Sequence, residues 1–158
     1  MPRNFPRIVF GKLPDREKKY GPIIVEAMRG EGVPSSWGLA FARVESSLRP
    51  NAVNNTGGDA TRGGAWGLFQ MTLKTAQECG FKGEGEDLLD AEVNAEIAAR
   101  FLARLMIPYR TLRDVASAYN SGHPYASAPE STRDRYVPLI LKYVDEYAAR
   151  SDLLTMRV

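Results

Sequence analysis

Residues 90–106, DAEVNAEIAARFLARLM, decide the fold class. Counted with Leu89, the apolar residues Val93, Ile97, Phe101, Leu102 and Leu105 return to one face at the period of an α-helix. A strand would need strict alternation, and no stretch of the chain reads cleanly that way. The flanking segments repeat the helical signal. Upstream, residues 73–78 read as a short helix with Thr72 as its cap and Gly80 just past its end, and residues 83–86 read as a turn. Further back, Trp37, Ala40, Phe41, Val44 and Leu48 form one apolar stripe on a helix that starts near Pro34 and ends by Pro50. A first helix is expected over 22–29, with Pro22 in its opening turn and Gly30 at its stop. Downstream, Thr111 followed by Asp114 makes a capping box for a helix to residue 119. Ser131 with Asp134 repeats the device. Tyr136, Ile140, Tyr143, Val144 and Tyr147 then form a last stripe, kinked or restarted at Pro138. The expected class is all-α or nearly so, with short strand pairs possible in the 51–68 loop.

Bulk composition narrows the function classes. A chain of 158 residues fits one domain with room for a core, here taken as 1–158 with 1–19 as an irregular lead-in holding Pro2, Pro6 and Pro14. A net charge of +2 is too small for a nucleic-acid footprint. No apolar run approaches a membrane span. With a single cysteine, Cys79, there is no intramolecular disulfide and no thiolate metal cluster. His123, the one histidine, finds no partners for a metal site, so no metal and no cofactor is expected. Residues 1–10 lack the apolar stretch of a signal peptide. The expectation is therefore a protein made in the cytoplasm without an anchor. The basic run Arg3, Arg7, Lys12, Arg16, Lys18 and Lys19 suits solubility or contact with an anionic polymer.

Three segments could carry chemistry. Glu45 stands one position beyond the apolar stripe and near the C-terminal end of its helix. Partial burial and the negative helix end both disfavour a charged carboxylate there, which suits a general acid. The commonest fate of a helical glutamate is plain solvent exposure, so position alone is weak. The stretch 63–71, GGAWGLFQM, mixes glycines that permit close backbone approach with an amide, Gln70. It also packs as a buried turn, and no Gly-Lys-Ser/Thr comes after it to make it a phosphate loop. Residues 118–122, AYNSG, read by themselves as helix termination.

Taken in order, Val44-Glu45-Ser46, Gly64 through Gln70, Asp87 through Asn94 and Ala118 through Gly122 resemble one family, the catalytic domain of the soluble lytic transglycosylases, relatives of goose-type lysozyme. The resemblance runs over about residues 20–147. It implies a lysozyme-like helical domain with a substrate cleft. It also implies cleavage of peptidoglycan glycan strands between N-acetylmuramic acid and N-acetylglucosamine, with a 1,6-anhydro product. In that scheme Glu45 is acid and then base, a departure from paired-carboxylate glycosidases. Asn120 and Tyr119 would face the reacting sugar, Gln70 would bond the glycan, and Ser46 and Met71 would join the binding set. Tyr136 would close the cleft near Glu45. Thr61 stands where the family carries a serine that bonds the catalytic glutamate.

Two departures stand out. The loop around 54–59 is longer than the family pattern, and 130–136 is stretched by one residue. The long loop brings in Asp59. A carboxylate across the sugar would activate water and make a hydrolytic muramidase, although a turn aspartate is the simpler reading. A non-catalytic phage tail or virion module is a third reading, opposed by the presence of Glu45, Tyr119, Asn120 and Gln70. A compact domain without an export signal suits a phage setting, as an endolysin paired with a holin or as a virion-associated protein.

Overall fold

The N-terminal helix is twice as long as its sequence suggests. In the computed structural model, which describes residues 12–154, α1 spans Leu13–Gly30. Pro14 falls in its first turn, where no N–H is needed. Pro22 lies inside it and removes an interior hydrogen bond, at a cost of about 3 kcal/mol in an isolated helix. Packing outweighs that cost. Glu17, Gly21, Ile24, Val25 and Met28 are buried along one face, against α2 (Ser35–Ser46) and α5 (Ala91–Leu105). The lead-in expectation thus fails for residues 13–19, and the part before residue 12 lies outside the described residues.

The remaining elements come in chain order. They are β1 (Val53–Asn54), α3 (Gly57–Thr61), β2 (Ala65–Trp66), β3 (Met71–Thr72), α4 (Leu73–Glu78), α6 (Leu112–Ser121), α7 (Val137–Ala148) and α8 (Ser151–Leu154). The strands form one antiparallel sheet in the order β1-β2-β3, with Val53 opposite Trp66 and Ala65 opposite Thr72. Two of the strands lie in the 51–68 loop and the third just past it. The fold is mostly α, of lysozyme-like type.

Capping chemistry fixes several boundaries. Thr72 accepts from Thr75 N–H, Asp90 from Val93 N–H and Thr111 from Asp114 N–H. Of the turn expected over 83–86, the second half belongs to a 3-10 segment that covers Gly85–Leu89. α6 runs to Ser121 and stops at Gly122, whose φ of 78° suits a left-handed cap. Ser131 does not cap. Its backbone is helical and its side chain makes no cap bond. A π-helical turn over Thr132–Tyr136 leads straight into α7, with Pro138 in that helix's first turn. A π turn absorbs one extra residue without breaking the helix, which accommodates the one-residue stretch in this segment.

The core runs between α1, α2, α5 and α7. Leu39, Phe41, Leu48, Leu68, Phe69, Leu102, Ile140 and Tyr147 are fully buried within it. On α5 the buried face turns toward Asn94, Ala95, Ala98 and Ala99. That leaves Phe101 and Leu105 partly exposed, in a cleft opposite the end of α2.

Candidate active site

The C-terminal end of α2 is unusually well tied down. Its last carbonyls would otherwise lack partners. Arg49 Nε donates to the Ser46 carbonyl at 2.9 Å and Arg16 Nε to the Ser47 carbonyl at 2.8 Å. Cations at this end also complement the helix dipole. Burial and the neighbouring Arg49 charge together hold the Arg16 pKa down. Ser47 and Leu48 then adopt φ of 54° and 56°, left-handed values that cost energy for residues with a Cβ. Leu48 recovers stability by complete burial. The outcome is a helix end fixed in place, with Glu45 on its last turn.

Glu45 lines a cleft of about 510 Å³ together with Asp59, Gln70, Met71, Phe101, Tyr119 and Asn120. Tyr136, which is not among the lining residues, donates its O–H to Glu45 Oε2 at 2.6 Å. Burial raises the Tyr136 pKa well above its ordinary value, and the Glu45 carboxylate raises it further. The phenol therefore keeps its proton and remains a donor.

The turn after β2 forms the next wall. Asn94, fully buried on α5, organises it. Its Oδ1 accepts from Phe69 N–H at 2.9 Å, and its Nδ2 donates to the carbonyls of Trp66 at 2.7 Å and Leu88 at 2.9 Å. Gly67 faces this amide with φ of 74°, and a Cβ there would stand 2.5 Å from Asn94 Nδ2 and from the Leu88 carbonyl. The glycine is required by close approach as well as by conformation. Gln70, at φ of 49°, directs its Nε2 to the carbonyls of Ala52 and Gly67, both at 3.0 Å. Its Oε1 is buried without a partner.

Tyr119 lies between Phe41 and Phe101, with ring centroids 4.8 and 5.2 Å away. Its O–H donates to the Phe69 carbonyl at 2.7 Å and touches Met71 Sδ at 3.6 Å. Burial and then Glu45 hold its pKa well above the ordinary value. Beside it, exposed Asn120 accepts from the hydroxyl of buried Thr132 at 2.7 Å.

The structure thus brings Glu45, Gln70, Met71, Tyr119 and Asn120 to one cleft, with Tyr136 bonded to Glu45. Other expected contacts fall elsewhere. Ser46, expected among the binding residues, is buried. It donates to the Leu68 carbonyl at 2.7 Å and accepts from Arg49 N–H, which ties α2 to the turn. Thr61 is exposed, does not line the cleft, and donates to the Gly58 carbonyl at 2.7 Å. Tyr136, not Thr61, supplies the hydroxyl on Glu45. Gln70, expected to bond the glycan, lines the cleft with its amide nitrogen bonded to backbone and its Oε1 without a partner. Asp59 lines the cleft and accepts from Asn54. His123 is exposed and outside the lining. Cys79 is half-buried, and desolvation raises its thiol pKa, the opposite of a reactive thiolate. Asn94, Thr132 and Phe101 are site-building residues that sequence reasoning did not single out. An amide within the stripe of α5 was the available signal for Asn94.

Residues 22–135 match the transglycosylase SLT domain family. The chain belongs to that family. The match contains Glu45 and every cleft-lining residue and ends immediately before Tyr136. Over 119 residues the SLT chain is also 32% identical to a membrane-bound lytic murein transglycosylase C from Photorhabdus laumondii, covering 71% of this chain and 31% of that protein. It therefore spans about a third of the relative's length. No helix among its described residues is long and apolar enough to cross a membrane.

Proposed function

We propose that this SLT domain is a peptidoglycan lytic transglycosylase that cuts the β-1,4 bond from N-acetylmuramic acid to N-acetylglucosamine, with Glu45 as the acid and then the base. The observation that carries the reading is the Tyr136–Glu45 hydrogen bond of 2.6 Å at the wall of a cleft of about 510 Å³. A carboxyl held in one geometry at a sugar-sized cleft is suited to proton transfer.

The steps balance on one carboxyl group. Glu45 gives its proton to the departing O4 of N-acetylglucosamine as the C1–O bond breaks. The carboxylate so formed takes the proton of the muramic acid's C6 hydroxyl. That oxygen closes on C1 and yields the 1,6-anhydro sugar, and Glu45 is again protonated. No water enters. Throughout, Tyr136 keeps its proton and steadies Oε2.

A hydrolytic muramidase is the second reading, and one observation favours it: Asp59 lines the same cleft as Glu45. Product analysis separates the two. Peptidoglycan digested with the protein and read by mass spectrometry should give muropeptides lighter by one water and resistant to borohydride. Reducing ends would replace the transglycosylase reading with the hydrolytic one and make Asp59 the residue to substitute.

A further inference from the structure

Arg62 is the one cation among the residues that line the cleft, where the other charged side chains are Glu45, Asp59 and Glu78. A neutral glycan asks for no counter-charge. A strand that contains muramic acid does, because each muramic acid carries a lactyl arm. That arm ends in a free carboxylate or in a peptide with carboxylates of its own. A cleft lined by carboxylates without a cation would repel such a strand.

Arg62 reaches the cleft from the loop that is longer than the family pattern. The lengthened loop holds α3, and Arg62 is that helix's C-cap residue. Two charged side chains of this segment line the cleft, and they are treated differently. Asp59 is committed inside the loop. Asn54 Nδ2 donates to Asp59 Oδ2, and Thr56 O–H donates to Asn54 Oδ1 at 2.8 Å, with Asn54 itself buried. The Arg62 backbone is fixed as well. Its N–H donates to the Asp59 carbonyl at 3.1 Å, and its carbonyl accepts from Lys74 N–H at 3.1 Å in the first turn of α4. The Arg62 side chain is exposed, and its guanidinium makes no hydrogen bond or ion pair among the described residues. The loop thus holds its carboxylate internally and presents an unpaired guanidinium, on an anchored backbone, to the cleft. A guanidinium is a planar fork of N–H donors that matches a carboxylate in two parallel hydrogen bonds.

We propose that Arg62 is a specificity residue that binds a carboxylate on the lactyl arm of muramic acid, so that the cleft prefers acidic glycan strands to neutral ones with the same sugar backbone. This rests on the peptidoglycan reading above. It adds the charged group recognised and the side chain, from the lengthened loop, that recognises it.

The test uses uncrosslinked glycan strands in three forms. One bears peptides, one is stripped of peptide to leave the lactyl carboxylate, and one is stripped and then coupled to methylamine so that the arm is neutral. Affinity is measured by titration calorimetry at low salt, in a Glu45→Gln background that keeps the strands intact, with position 62 as arginine, Arg62→Gln or Arg62→Lys. The expected result is tighter binding of an acidic form than of the neutral one. That preference should fall about two- to fivefold in Arg62→Gln, the range for an exposed ion pair, be largely kept in Arg62→Lys, and shrink as salt is raised. A fall on the stripped strands assigns the lactyl carboxylate, and a fall confined to the peptide-bearing strands assigns a peptide carboxylate; either supports the proposal. A loss of affinity equal on all three forms is what a merely structural role in holding α3 would give, and it overturns the proposal. So does a preference that Arg62→Gln leaves intact, or no preference at all. Cleavage by the chain with Glu45 in place is scored in parallel on the same strands. Cleavage to anhydro products without acidic preference sinks this inference and leaves the proposed reaction standing. An acidic preference that depends on Arg62, without any cleavage, does the reverse.

Discussion

Replacing Asn94 with alanine should loosen the cleft wall from within. The amide makes three hydrogen bonds of 2.7–2.9 Å to the backbone of Trp66, Phe69 and Leu88, from a fully buried position. Alanine leaves one N–H and two carbonyls without those partners. An unsatisfied buried group costs about 1–3 kcal/mol. Water entering the space would recover part of that, so the expected loss is about 3–5 kcal/mol against a typical total of about 5–15 kcal/mol. For a chain of this length that lowers the melting temperature by about 6–20 °C. Urea unfolding monitored by the fluorescence of Trp37 and Trp66 measures it directly. Asn94→Asp sharpens the test. It keeps an acceptor for Phe69 N–H but turns a second acceptor toward two carbonyls, so it should be at least as damaging as alanine. A loss below about 1 kcal/mol for Asn94→Ala would refute the view that this amide organises the turn.

Tyr136→Phe removes a hydrogen bond to an ionisable group, worth about 1.5–3 kcal/mol, and should lower the melting temperature by about 3–12 °C and, measured on the folded protein, cut kcat by about 10- to 150-fold. Unaltered kcat would show that Tyr136 does not steady Glu45. Gly67→Ala forces a Cβ to within 2.5 Å of Asn94 Nδ2 at a φ of 74°, and should cost about 2–5 kcal/mol of overpacking and left-handed strain, measured by thermal melting. Finally, Tyr119, Tyr136 and Tyr147 all have pKa values raised, in each case first by burial. A folded phenol with a raised pKa keeps its proton after the unfolded chain has lost it. Stability is therefore full below about pH 10 and falls as the pH rises beyond it. Urea melts across that range should steepen in their pH dependence, and Tyr136→Phe should flatten it.

Helices were legible in this sequence wherever local chemistry sets their limits. Thr72, Asp90 and Thr111 announce helix starts because the cap bond spans only three residues. Pro22 and Ser131 misled because what overrides them is distant. Pro22 is tolerated through the packing of α1, which buries Gly21 beside Leu39 and Leu153. The Ser131 signal loses to a π turn held by contacts to α2 and α6. The site divides the same way. Glu45, Asn120 and Tyr136 were legible from their motifs and stand in or against the cleft. Gln70 lines the cleft as well as bonding backbone, whereas Ser46 and Thr61 bond nearby backbone outside the lining, which spacing alone cannot foresee. Asn94 and Thr132 act on residues 69 and 120 through bonds to other elements; the amide within the stripe of α5 was the one local signal for Asn94, and Thr132 had none.

The central claim is that one carboxyl, Glu45, performs the proton transfers. Glu45→Gln keeps the shape and still accepts from Tyr136, but it can neither give nor take the proton. Its rate of peptidoglycan solubilisation should fall by about 10²–10⁴-fold, the range for loss of general acid–base catalysis, with its melting temperature held close to wild type. A folded Glu45→Gln protein that clears peptidoglycan at the wild-type rate would contradict the account.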